Sequence, residues 1–256
     1  ASAPNLVDIV VDGKPIRAVA QVSKTGFTYV FDRVSGEPVW PIEERPVPPS
    51  DVPGERAHPT QPFPTKPAPF DRQGISEDDL IDFTPEIAAA ARELAEEFVL
   101  GPIFTPPIVR GSNGKRSTFV VPGAGGGAGY PGATVDPETG IIYIPSLTRP
   151  MGMSLIPPPD DTSEWPYLIT LDRQVGPFGL PLLKPPYRRI TAIDLNTGEH
   201  VWQIPFGKGP ANHPMLEHLD LPPLGTASSD VLHEGGVLIT KTLLISYLAQ
   251  KDEIDP

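Results

Sequence analysis

One pattern recurs along the chain and constrains the fold more than any other feature of the sequence. In each copy a short apolar run ends in aspartate, a glycine follows four residues later, and a second apolar run begins. The three copies are Asp32 with Gly36, Asp136 with Gly140, and Asp194 with Gly198. Trp40 and Trp202 stand eight residues after the first and the third aspartate.

Each residue type in this pattern has a physical reason to be there. An aspartate can accept backbone N–H bonds inside a turn, and glycine adopts the positive φ that closes it. A tryptophan at fixed register can pack between neighbouring sheets. Repeated antiparallel sheets of this kind are typical of a β-propeller. The turns alone are also compatible with a two-layer all-β sandwich, but the equal tryptophan offsets favour the propeller.

Composition agrees with an all-β globular chain and excludes several functions. The chain has 256 residues, 39% of them hydrophobic, so it can bury a sizeable core. Its 36 prolines and 24 glycines favour short elements joined by turns. A net charge of −12 makes nucleic acid an unsuitable partner. The absence of cysteine excludes disulfides and thiolate metal sites.

Local signals place several elements. Residues 24–26, Lys-Thr-Gly, predict the turn of a hairpin, and Asn113-Gly114 predicts another. Thr84-Pro85 begins a helix whose apolar face is predicted to contain Ile87, Ala91, Leu94 and Phe98. The proline-rich residues 41–70 could be a disordered linker or an ordered excursion, and their aromatic residues favour the ordered alternative.

Longer segments around these repeats resemble one family. They are similar to the tryptophan-docking repeats of PQQ-dependent (quinoprotein) dehydrogenases, and in particular to the membrane-type glucose and quinate dehydrogenase branch. The segments are QVSKTGFTYVFDR (21–33), PTQPFPTKPAPFD (59–71), GPIFTPP (101–107), PGAGGGAGYPGATVDPETGIIYIPS (122–146) and GPFGLP (176–181).

The resemblance implies a fold and a domain plan. It implies an all-β partial β-propeller, about three to four blades of an eight-bladed quinoprotein propeller from the C-terminal half, with long proline-rich loops and one inserted helix. Residues 1–256 would form one incomplete PQQ-binding-like domain. Residues 41–101 would be a proline-rich excursion plus the helix, and residues 149–186 a proline-rich loop.

The resemblance also implies an activity. Such an enzyme oxidises a polyol, sugar or cyclic hydroxy acid by hydride transfer to pyrroloquinoline quinone (PQQ), with Ca²⁺ as Lewis acid and a membrane quinone as electron acceptor. The full-length protein would be periplasmic and membrane-associated. The general-base aspartate is expected upstream of Ala1 and the calcium ligands outside this chain, so no catalytic or metal-binding residue is predicted here. Residues 1–256 alone are expected to be poorly stable and inactive.

Three residues are candidate cofactor contacts through the resemblance. Lys24 matches the family's K-x-G-x-x-x-x-x-D-R context, in which a cation lies beside the quinone; the alternative is an ordinary solvated lysine in a turn. Gly129 and Tyr130 stand where relatives often have a polar residue and tryptophan, so Tyr130 would either form a wall of the quinone site or only pack.

Other patterns carry no chemistry. The glycine run 123–129 lacks the Gly-Lys-Ser/Thr of a phosphate loop, and the five histidines have no metal-site spacing. A second class of function stays open: a non-catalytic PQQ-like propeller that serves as a scaffold in the cell envelope. Lys24 favours the enzyme, because a scaffold has no need of a cofactor-side cation.

Overall fold

A computed structural model describes residues 2–129, 131–159, 163–172, 176–227 and 236–247. These ranges contain one α-helix, α1 (Pro85–Ala95), and a series of mostly short strands. The strands are β1 (Asn5–Val11), β2 (Lys14–Val22), β3 (Thr28–Asp32), β4 (Ile42–Pro46), β5 (Thr60–Pro64), β6 (Phe98–Val99), β7 (Ile108–Val109), β8 (Ser117–Val120), β9 (Thr134–Val135), β10 (Ile141–Leu147), β11 (Met151–Ile156), β12 (Leu168–Asp172), β13 (Arg188–Asp194), β14 (Glu199–Pro205), β15 (Val237–Ile239) and β16 (Leu244–Ser246). The predicted all-β class with one inserted helix is confirmed.

The strands form three sheets and two separate hairpins. The first sheet has the order β1-β2-β3, and the second has the order β14-β13-β10-β9; both are antiparallel. The third has the order β12-β11-β8-β6, with β7 added in parallel to β11. The hairpins are β4-β5, within the proline-rich excursion, and β15-β16.

The first two sheets share one apolar core. Strand β2 alternates along its second half, so that Ala18, Ala20 and Val22 are buried on one face. They pack in the same cluster as Ile142 and Ile144 of β10. Two antiparallel sheets that bury one common face stand as neighbouring blades of a propeller do.

The three repeated turns have one geometry. In each, the aspartate Oδ1 accepts the backbone N–H two residues later, at 2.8–2.9 Å. The aspartate carbonyl accepts the glycine N–H, also at 2.8–2.9 Å. The glycines have φ of +79°, +76° and +73°. The predicted roles of aspartate and glycine in these turns are therefore confirmed.

The two repeat tryptophans make different contacts. Trp40 is half-buried and lies over the turn at Gly198, where a Cβ would stand 3.0 Å from the indole Cζ2. It therefore joins the end of the first sheet's repeat to a turn of the second sheet. Trp202, also half-buried, packs against Tyr143 within its own sheet, with ring centroids 5.8 Å apart.

Helix α1 begins as predicted and ends earlier. The Thr84 side chain accepts the N–H of Ile87 at 3.2 Å, which satisfies one free donor of the first turn. The helix ends at Ala95, so the prediction that Phe98 belongs to its apolar face is wrong. Phe98 lies in β6 and is buried in the same core as Ile87 from the strand side.

The predicted hairpin at Asn113-Gly114 is also wrong. Residues 112–114 form a short 3₁₀ turn, and β7 pairs with β11 instead of β8. Both edges of β8 are already paired, one with β11 and one with β6, so β7 has no free edge of β8 to join.

Candidate functional site

Lys24 lies in the tight turn between β2 and β3. The turn is closed by a hydrogen bond of 3.1 Å from the Gly26 N–H to the Ser23 carbonyl. Gly26 has φ of +80°, and a Cβ there would stand 2.8 Å from the Gln73 side-chain nitrogen. Glycine is therefore required at this position both by backbone conformation and by the neighbouring segment.

The backbone of this turn is held at three consecutive carbonyls. Each carbonyl of residues 24–26 accepts one hydrogen bond from a segment distant in sequence. In chain order of the acceptors, the donors are the Gly127 N–H at 2.9 Å, Gln73 Nε2 at 2.7 Å and the Phe70 N–H at 2.9 Å. The position of the Lys24 Cα is thus fixed by residues 70–73 and by the glycine-rich segment.

The Lys24 ammonium itself is not neutralised. Its side chain is exposed, and Nζ donates to the Ala124 carbonyl at 3.3 Å. It forms no ion pair with any residue that the structure describes. Beside Lys24 lies a cavity of about 220 Å³ whose walls include Phe104, Phe119 and Met153. The turn therefore presents an unpaired cation next to a largely apolar cavity.

The glycine-rich segment is shaped to lie on this turn. Gly126 has φ of +81°, and a Cβ there would stand 2.5 Å from the Lys24 Cβ. A Cβ at Gly127 would stand 2.6 Å from Asp71 Oδ2. The glycines thus allow close approach of two chain segments, and this explains the run without any phosphate ligand.

The structure places Gly129 two residues beyond the contact with Lys24. Gly129 is buried, and its carbonyl accepts the Gly132 N–H at 3.2 Å. It lines a cavity of about 20 Å³ together with Ser146 and Arg188. Tyr130 lies outside the described residues.

A buried charged group stands directly behind the turn. The Asp71 carboxylate is fully buried, and its Oδ1 accepts Thr148 Oγ1 at 2.6 Å and the Arg72 N–H at 2.8 Å. Arg189 Nη2 lies 3.4 Å from the same oxygen and also donates to the Thr148 hydroxyl. Burial lowers the pKa of Arg189, and the Arg72 charge lowers it further, while Asp71 opposes both.

Sequence reasoning missed this group and Gln73. Its signal was present, because Asp71 closes the proline-rich block PTQPFPTKPAPFD that carries much of the family resemblance. The residue type alone does not show that Asp71 is buried, because Lys66 of the same block forms an exposed ion pair with Glu199.

The described part of the chain contains neither a metal-binding cluster nor a membrane-spanning helix. No group of histidine, aspartate or glutamate side chains there could hold a metal ion. No helix there is long and apolar enough to cross a bilayer.

The comparisons with known proteins define the class. Residues 1–254 match the PQQ family described as "Glucose/ethanol/alcohol dehydrogenase, beta-propeller domain". The chain belongs to this family of PQQ-dependent dehydrogenases, and the predicted family and partial β-propeller fold are confirmed.

Individual relatives are similar over most of this chain. Quinoprotein glucose dehydrogenase of Escherichia coli (strain K12) is 31% identical over 230 residues, which are 80% of this chain and 27% of that protein. The glycerol dehydrogenase large subunit of Gluconobacter oxydans (strain 621H) is 30% identical over 94% of this chain and 36% of its own length. Quinate/shikimate dehydrogenase (quinone) of Acinetobacter baylyi is 27% identical over 97% of this chain and 32% of its own length. The chain thus spans about a third of the length of these relatives.

Among solved structures, a europium-containing methanol dehydrogenase aligns with 80% of this chain and 27% of its own. The sequence identity is 19% and the TM-score 0.42.

Proposed function

We propose that the full-length protein is a PQQ-dependent dehydrogenase that oxidises a CH–OH group of a polyol, sugar or cyclic hydroxy acid. Electrons would pass to a membrane quinone, and the protein would be periplasmic and membrane-associated. The observation that carries the proposal is the unpaired Lys24 ammonium on a turn held at three carbonyls.

The chemistry of this site fits the cofactor. PQQ bears three carboxylates and an ortho-quinone, so an unneutralised ammonium is a complementary partner for it. When bound, PQQ accepts a hydride from the carbinol carbon of the substrate. Lys24, held beside the quinone oxygen, would stabilise the negative charge that grows there. A turn fixed in advance needs little reorganisation as that charge develops.

The other predicted contacts keep a secondary role. We assign Gly129 and Tyr130 to the wall of the cofactor site, with Gly129 supplying backbone space rather than a polar contact. The relatives are named for glucose, glycerol and quinate or shikimate, which defines the substrate panel to be tested.

The test uses the full-length gene product that contains this sequence, prepared without cofactor and then titrated with PQQ in the presence of Ca²⁺. We expect saturable PQQ binding and dye-linked oxidation of at least one member of the panel. Lys24→Ala should lower kcat by about 10²–10³-fold, the usual effect of removing one charge-stabilising donor.

The matched control is Lys14→Ala. Lys14 is also an exposed lysine and follows the other turn of the same sheet, between β1 and β2. Its substitution should leave binding and kcat unchanged. The absence of PQQ binding by the full-length protein would contradict the proposal and support the scaffold function, which the lack of a polar side chain at Gly129 favours.

A further inference from the structure

We infer that Gln73 is a positioning residue for Lys24. It would set the place of the ammonium by holding the turn through the Thr25 carbonyl, without touching the cofactor. This inference rests on the proposed role of Lys24, and it assigns to the proline-rich excursion a part in forming the cofactor site.

Gln73 differs from the other two donors that hold the turn. Those donors are the backbone N–H groups of Gly127 and Phe70, so neither bond uses a side-chain donor. The bond from Gln73 Nε2 to the Thr25 carbonyl, at 2.7 Å, is the shortest of the three and depends on the side chain. The residue type at position 73 therefore determines whether one of the three hydrogen bonds that hold the turn can form.

The orientation of the Gln73 amide is determined by its surroundings. Besides the Thr25 carbonyl, Nε2 lies 3.3 Å from the carbonyls of Asp71 and Arg72. The Oε1 atom is buried and has no hydrogen-bond partner among the described residues. Exchange of the two atoms would place an oxygen against three carbonyl oxygens, so only the observed orientation is favourable.

The segment that contains Gln73 is itself anchored in the protein core. Asp71, two residues earlier, is held by Thr148 and Arg189 in a fully buried group. Gly26 has no Cβ, and this lets the Gln73 amide approach the turn closely. A restraint anchored in the core can hold the Lys24 Cα against movement, and small displacements of a catalytic group can cost large factors in rate.

The experiment is a double-mutant cycle in the full-length protein, read as the equilibrium Kd for PQQ with Ca²⁺ and no substrate. Gln73→Met keeps the length of the side chain and removes the donor. We expect it to raise the Kd about two- to tenfold, the worth of one hydrogen bond. In a Lys24→Ala background the same change should have no further effect, because Gln73 acts only through Lys24.

Two variants serve as comparison and control. Gln73→Glu should weaken binding more than Gln73→Met, because a carboxylate would face three carbonyl oxygens. Gln21→Met removes a similar half-buried amide from β2, whose donors bond Ser2 and Val22 and not residues 24–26. It should lower stability as Gln73→Met does and leave the Kd unchanged.

The possible failures are separable. A Lys24→Ala protein with unchanged PQQ Kd overturns the proposed contact between Lys24 and the bound cofactor, and this inference with it; the kcat of the same variant tests the proposed function separately. If Lys24→Ala weakens binding, then a Gln73→Met effect that is absent, or that persists fully without Lys24, overturns the inference alone. If both Gln73 variants fail to fold while Gln21→Met folds, the bond serves the fold and the inference is also overturned.

Discussion

At the residue scale, Gly198 meets two demands at once. Its φ of +73° closes the third repeated turn, and its missing side chain leaves room for the Trp40 ring of the neighbouring sheet. Gly36 closes the first turn with φ of +79°, but a Cβ there would meet nothing within 4 Å. Equivalent glycines of the repeat therefore differ: Gly198 lies against a neighbouring side chain, and Gly36 does not.

We predict that Gly198→Ala destabilises the protein more than Gly36→Ala. Both should lose about 1–2 kcal/mol, because alanine is strained at positive φ. Gly198→Ala should lose roughly 1 kcal/mol more, since the Trp40 ring and the Lys66 side chain must also move. Urea unfolding followed by tryptophan fluorescence measures both, and equal losses would show that the indole does not bear on this turn.

At the scale of elements, the parts that could be predicted from sequence are those with local chemical signals. The three Asp–Gly turns, the turn at Lys24 and the start of α1 each carry their determining residues within a few positions. The parallel pairs β6-β8 and β7-β11 could not be predicted, because two-residue strands have no periodicity and their partners lie far along the chain. The helix end was misplaced for a related reason: Phe98 continues the helical spacing but joins β8.

We predict that the cap of α1 can be measured separately from its packing. Thr84→Ala should cost about 1 kcal/mol of unfolding free energy, because the Ile87 N–H loses its acceptor. Thr84→Ser keeps the hydroxyl and should cost little or nothing, because serine is at least as good an N-cap as threonine. The urea midpoints of the two variants give the comparison, and a serine variant as weak as the alanine variant would assign the role to the threonine methyl group.

The candidate site shows the same division. Lys24 could be proposed from a linear motif, whereas its restraint could not, because the donors at Phe70, Gln73 and Gly127 come together only in the folded chain. The burial of Asp71 also could not be predicted from the sequence, because its partners Thr148 and Arg189 are more than seventy residues away along the chain.

At the scale of the whole molecule, Asp71 joins three regions that are otherwise separate in sequence. It closes the proline-rich block 59–71, Thr148 follows β10, and Arg189 belongs to β13. The carboxylate and the guanidinium are 0% and 6% exposed, so each depends on the other for compensation of its charge.

We predict that Asp71→Asn lowers stability by about 3–5 kcal/mol, because it leaves the Arg189 charge buried without a counter-ion. Asp8→Asn breaks the exposed pair with Arg33, at 2.8 Å, and should cost no more than about 1 kcal/mol. Thermal unfolding of the two variants in parallel measures the difference. A loss for Asp71→Asn as small as that for Asp8→Asn would show that the Thr148 hydroxyl and the Pro186 carbonyl suffice for Arg189 without a counter-ion.

The course of the chain through the second and third sheets has a consequence for assembly. Strands β10 and β13 pair along their whole length. In sequence, however, they are separated by the segment that contains β11 and β12, which belong to the third sheet. The β10–β13 pair therefore cannot form as a local hairpin during synthesis, whereas the β9–β10 and β13–β14 pairs of the same sheet can. Proteolytic cleavage in the segment between β10 and β13 should leave two fragments that remain associated through this strand pair. They should migrate together in native electrophoresis and separate only after denaturation.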